Sequence, residues 1–90
     1  MSDYELVLTP PARRALTSVL PEPVAAAAIE FLATSLVANP QRIGKPLRFD
    51  LDGIWTARRG TYRVLCRINE KTHEVIVIRI EHRRHAYRPT

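Results

Sequence analysis

Two residues, Gly60 and Thr61, limit what this chain can fold into more than any others. They separate two runs, 54–59 (IWTARR) and 62–69 (YRVLCRIN), that are rich in β-branched and aromatic residues. A two-residue spacer between such runs reads as a tight hairpin, and a turn that short sets the register of its strands. It pairs Arg59 with Tyr62, Arg58 with Arg63, Ala57 with Val64, Thr56 with Leu65 and Trp55 with Cys66. Because strand side chains alternate, Trp55, Ala57, Val64 and Cys66 share an apolar face meant for a core, while Thr56, Arg58 and Arg63 share the other.

The remaining elements follow from local chemistry. Residues 4–8 (YELVL) are short and β-prone, and Thr9-Pro10-Pro11 suits a helix N-cap with proline in the first turn. A first helix is expected over about residues 11–20, ended by Pro21 and Pro23, and a longer one over about 23–38, closed by Asn39-Pro40. Residues 39–53 read as one long irregular loop carrying Arg42, Lys45 and Arg48. A third strand of the meander is expected at 74–80, and the tail 81–90, which has no apolar run, reads as non-core. The order β-α-α-β-β-β predicts an α+β fold: a mainly antiparallel sheet with an N-terminal helical hairpin on one face. With 90 residues the chain reads as a single domain, residues 1–90.

Composition removes several function classes. The longest apolar run is far short of the roughly 18 residues that would suggest a membrane span, and no charged-then-apolar leader is seen, so a soluble cytoplasmic protein is expected. A lone cysteine, Cys66, excludes an internal disulfide and a cysteine-based zinc site. Glycine occurs only at 44, 53 and 60, too sparsely for a phosphate-cradling loop.

Charge points toward an anionic partner. Fourteen Lys and Arg face nine Asp and Glu, and twelve of the fourteen are Arg. Residues 1–40 carry a net −2 and residues 41–90 a net +7. Arg58 opposite Arg63 is a like-charge pair that costs stability unless an anion uses it. If residues 69–73 form the next loop, Arg79 also falls across from Arg63, while Ile76, Ile78 and Ile80 join the core face. One arginine on a one-sided sheet is ordinary solvated surface. Three together, of the type that grips phosphate in a fixed fork, favour RNA or another phosphate polymer. His82 and His85 have no cysteine and too few acidic neighbours for a metal site and read as acid/base, hydrogen-bonding or plain surface groups rather than metal ligands. Neither a metal nor another cofactor is expected. Cys66 points into the core and His73 sits in a turn, so neither is a candidate nucleophile or base.

Four segments resemble the RelE-type toxins of bacterial toxin-antitoxin pairs: Thr9-Pro10-Pro11-Ala12-Arg13-Arg14, Gly44-Lys45-Pro46-Leu47, the hairpin from Trp55 to Val64, and His82-Arg83-Arg84-His85-Ala86-Tyr87-Arg88. The resemblance implies a RelE-like fold and a metal-independent ribonuclease that enters the ribosomal A site and cuts messenger RNA there. It implies in-line attack by the RNA's own 2′-hydroxyl, leaving a 2′,3′-cyclic phosphate and a 5′-hydroxyl. By that resemblance Arg58 and Arg63 bind the scissile phosphate, Arg83 assists the leaving group and Tyr87 stacks on a base. Thr56 stands where some relatives carry a basic residue and cannot exchange protons as that residue does, so His85 or His82 is the substitute base. Arg13, Arg14, Arg42, Lys45, Arg48 and Arg79 are expected to contact RNA phosphates. The implied partners are a RelB-like antitoxin, the ribosome and its messenger RNA, with a monomeric free toxin. Two other functions share these residues: a ParE-type toxin that poisons DNA gyrase, and a non-catalytic RNA-binding module.

Overall fold

A computed structural model describes residues 3–47 and 53–82. The hairpin forms as the two-residue spacer requires: β3 (Ile54–Arg59) and β4 (Tyr62–Asn69) pair antiparallel in the expected register, from Arg59 with Tyr62 to Trp55 with Cys66. Gly60 takes φ +59, a left-handed backbone that glycine reaches without penalty, at the first turn position. β5 (Glu74–His82) pairs antiparallel with β4, and β1 (Glu5–Leu8) lies parallel on its far side. The two-residue β2 (Lys45–Pro46) closes the opposite edge, giving the sheet order β1-β5-β4-β3-β2.

The β4–β5 register differs from the expected one. Asn69 pairs with Glu74, and the turn between them is held by the Asn69 side chain, which accepts from the backbone N–H of Lys71 (3.0 Å) and Thr72 (3.2 Å). Cys66 then faces Val77 but Leu65 faces Arg79, so Ile78 is an extra, bulged residue. A bulge reverses the alternation of its strand. Val75 and Val77 therefore face the core before it, and Ile80 and His82 after it. The expected burial of Ile76 and Ile78 is corrected: both are half-buried, and only Ile80 of the three lies in the core. Arg79 is likewise not across from Arg63. That place belongs to Glu81, which the strand includes together with His82.

Two helices cover the apolar face. Helix α1 (Pro10–Arg14) starts at Thr9, whose hydroxyl oxygen accepts from the Ala12 N–H, and runs on into a wider π-type turn, Ala15–Val19. Helix α2 (Glu22–Phe31) begins after Pro21 and continues likewise through Leu32–Leu36. Small residues let the helices approach the sheet closely: Ala12, Ala15, Ala25 and Ala28 are buried with Phe31, Leu32 and Leu36 against Val64, Cys66, Val75 and Val77. The expected long loop is partly ordered, since Pro40–Ile43 forms the short helix α3 ahead of β2.

Candidate nucleic-acid interface

The face of the sheet opposite the helices collects the cations. The register aligns Lys45, Thr56, Leu65 and Arg79 in one row across β2, β3, β4 and β5, and Arg58, Arg63 and Glu81 in the next. Directly opposed residues share a face, so Lys45, Arg58, Arg63 and Arg79 lie on one surface, and all four are exposed. Arg58 opposite Arg63 is as read from the sequence.

The carboxylate of Glu81 binds two of these arginines. Arg63 Nε donates to Oε1 at 2.7 Å, and Arg79 Nη2 lies 3.4 Å from Oε2. The Glu81 side chain is 19% exposed against 46% and 61% for its partners, so the carboxylate is sunk between more open guanidinium groups. One anion offsets part of the like-charge repulsion and keeps the arginines on one surface. Sequence reasoning missed Glu81 because it was placed in the tail. The signal was its spacing of two residues from Arg79, which puts the two on one face of a continuing strand.

Of the other expected residues, Arg14 reaches this region: a cleft of about 270 Å3 beside α1 is lined by Pro11, Arg14, Val19, Arg79 and Glu81 among others. Arg13 is exposed on α1, and Arg42 is exposed on α3, whose Gln41 donates to Glu70 in the β4–β5 turn. Among the described residues neither shares a hydrogen bond or ion pair with the arginine rows. Arg48, Arg83, His85 and Tyr87 lie outside the described residues. Arg59 turns to the helix side, where its guanidinium rests 5.2 Å above the Phe31 ring beside a larger groove of about 660 Å3.

Proton-transfer groups are placed as follows. His82 is buried on the core face, with Nε2 3.1 Å from the Thr61 hydroxyl, so its expected role as a base beside Arg58 and Arg63 is corrected. The alternation after the bulge points it away from them. Thr56 shares the arginine surface, its hydroxyl oxygen buried and without a hydrogen-bond partner among the described residues. Cys66 is in the core as expected, and burial pushes its thiol up to about 11, which keeps it protonated and unreactive at neutral pH. Among the described residues no three His, Cys, Asp or Glu side chains converge on one point, and no helix is long and apolar enough to cross a membrane. The surface has the donors to hold a phosphodiester by charge-assisted hydrogen bonds.

Comparison with known proteins bears on the family and the fold. Residues 6–87 match the family described as the ParE toxin of the type II toxin-antitoxin system. The chain is 47% identical to the toxin RelE of Mycobacterium tuberculosis over 98% of its own length and 93% of the relative's. It is 45% identical to the toxin RelG of the same organism, over 94% and 97%. Among solved structures, a chain of the toxin-antitoxin complex RelBE2 from Mycobacterium tuberculosis superposes with a TM-score of 0.86 at 44% identity, covering 91% of this chain and all of that one.

Proposed function

The chain belongs to the RelE/ParE superfamily of toxins from type II toxin-antitoxin modules, and on that premise we propose that it is a ribosome-dependent messenger-RNA endoribonuclease. In this reading residues 1–90 are a single RelE-like toxin domain that works in the cytoplasm, enters the ribosomal A site and inhibits translation without a metal. The observation that carries it is the register pairing of Arg58 with Arg63, flanked by Arg79 and Lys45, on the sheet face opposite the described helices. In-line attack by a 2′-hydroxyl gathers negative charge on the phosphate. Fixed guanidinium donors stabilise that charge more in the transition state than in the substrate.

Arg58 and Arg63 hold the scissile phosphate. The products are a 2′,3′-cyclic phosphate and a 5′-hydroxyl. An arginine stays protonated near neutrality and cannot serve as the base. With His82 on the core face and Thr56 at the other family position, His85 takes that role, with Arg83 at the leaving group and Tyr87 stacked on a base. Support comes from the register of β5: Glu81 and His82, the last described residues, pair with Arg63 and Tyr62, and Arg83 follows them directly in sequence. Arg13, Arg14, Arg42, Lys45 and Arg48 contact RNA phosphates around it.

A RelB-like antitoxin neutralises the toxin, as the toxin-antitoxin complex of the mycobacterial relative suggests. The free toxin is monomeric in this reading. A second reading, a ParE-type toxin acting on gyrase, has the family description itself in its favour. Mapping cleavage of messenger RNA in a translating extract separates the two. The wild type is expected to cut within the A-site codon, Arg63→Ala to lose at least about a hundredfold and His85→Ala at least about tenfold. Intact messenger with gyrase trapped on DNA would replace the nuclease reading by the second, and intact messenger with RNA still bound would leave a non-catalytic binding module.

A further inference from the structure

Glu81 is the one carboxylate among the described residues of the two arginine rows, and the atom it takes from Arg63 is informative. An arginine offers two bidentate edges, one using Nε with a terminal nitrogen and one using both terminal nitrogens. Here Nε is committed to Glu81 Oε1 at 2.7 Å, so the edge formed by Nη1 and Nη2 lies outside that bond. The other Glu81 oxygen faces Arg79 Nη2 at 3.4 Å, and with 19% exposure the carboxylate is the better anchored partner. Three features place it there: the direct Arg63–Glu81 pairing, the bulge at Ile78 that turns residues 79 and 81 outward, and Thr9, whose hydroxyl donates to the carbonyls of Val77 (3.0 Å) and Ile78 (2.7 Å).

We propose that Glu81 is a positioning residue: by accepting from Arg63 Nε it turns the guanidinium side-on, so that its two terminal nitrogens face the phosphodiester as a preset fork. The inference rests on the nuclease reading for the nature of the anion. It goes beyond that reading in assigning a role to an acidic residue on a surface otherwise read as purely basic. Left unheld, Arg63 would sample many rotamers, and each binding event would have to order it again. Holding it in place shifts that ordering from the reaction to folding, and this raises turnover more than it raises affinity.

Two variants separate positioning from charge. Glu81→Ala and Glu81→Gln remove the same negative charge, but glutamine keeps an oxygen able to accept from Nε. In cleavage by programmed ribosomes, Glu81→Ala is expected to lose about tenfold or more, mainly in kcat, while Glu81→Gln stays within about threefold of the wild type. Equal losses in both variants, or no loss in either, would overturn the proposal. A second readout does not depend on cleavage: the Arg63 Nε–H resonance in isotope-labelled protein, titrated with an uncleavable 2′-deoxy oligonucleotide. Slow Nε–H exchange in the wild type and Glu81→Gln, lost in Glu81→Ala, with the oligonucleotide shifting the Arg63 terminal nitrogens, is the expected pattern. If the wild type binds the oligonucleotide this way but leaves messenger RNA intact, the nuclease reading fails and the positioning role stands. If Arg63 exchanges alike in all three proteins, the positioning role fails whatever the protein cuts.

Discussion

Cys66 shows what one buried side chain adds to the behaviour of the molecule. Its exposure is 1%, and burial raises the thiol from its usual 9.0 to about 11. The unfolded chain therefore releases this proton near pH 9, while the folded one holds it until about pH 11. Between those values the unfolded state binds fewer protons, so stability falls as pH rises, by about 2–3 kcal/mol in all, and the slope from this group ends above pH 11. Tyr62, also raised by burial although Arg59 opposes the shift, adds to the alkaline loss. Urea denaturation at a series of pH values checks this: Cys66→Ala is expected to lose about 1 kcal/mol at pH 7 and to show a shallower decline from pH 9 to 11 than the wild type. An equally steep decline in the variant would remove Cys66 as its source. The same residue was legible in the sequence, because a two-residue turn leaves no freedom in which face Cys66 takes. Arg58 and Arg63 were legible for the same reason. Glu81 and His82 were not, since a polar segment after a hydrophobic strand reads as tail. The pairing with Arg63 and Tyr62, and the hydrogen bond between the Thr61 hydroxyl and the His82 ring, make a strand of it.

At the scale of elements the bulge in β5 decides the site. Without it, the alternation that buries Val75 and Val77 would carry Arg79 and Glu81 into the core and leave Ile80 and His82 outside. A bulge disrupts the ladder and leaves backbone groups in need of partners, and Thr9 supplies them. Its N–H donates to the Val77 carbonyl at 3.1 Å, and its hydroxyl reaches both Val77 and Ile78 while capping α1. One side chain thus joins the start of a helix to the irregularity of a strand 68 residues away in sequence. Thr9→Ala is expected to lower stability by about 2 kcal/mol, the upper range for a cap because the part-buried Ile78 carbonyl also loses its hydroxyl donor. Thr9→Ser should recover most of it, and thermal denaturation of both variants measures the effect. Equal losses would point to the methyl group instead. The elements legible beforehand were those with local signals: the β3–β4 turn, the Thr9-Pro10-Pro11 helix start, and the apolar spacing of α2. The bulge has no local signal, as it depends on Thr9 being brought to it. The brief α3 and β2 were read as loop because four and two residues are too short to show a period.

For the whole molecule, the arrangement separates charge by side. Glu22 and Glu30 belong to helix α2, which covers one face, while Lys45, Arg58, Arg63 and Arg79 lie on the other. The body is 22 Å across its thinnest direction, between two and three times the ionic screening length of about 8 Å in physiological salt, so acidic residues on the helix side do little to cancel the field over the arginine face. Among the described residues the fold thus gathers Lys45, Arg58, Arg63 and Arg79 into a one-sided attraction. Binding of a single-stranded oligonucleotide should therefore weaken steeply with salt. Each cation that neutralises a phosphate contributes about 0.7 to the slope of log affinity against log salt. Deleting Lys45 or Arg79 is expected to reduce that slope by about this amount, whereas deleting Lys71 in the β4–β5 turn should leave it unchanged. Fluorescence anisotropy over a range of salt concentrations measures it. A slope that responds to Lys71 as much as to Arg79 would mean that the RNA senses only total charge, and that the sheet face has no privileged part in holding it.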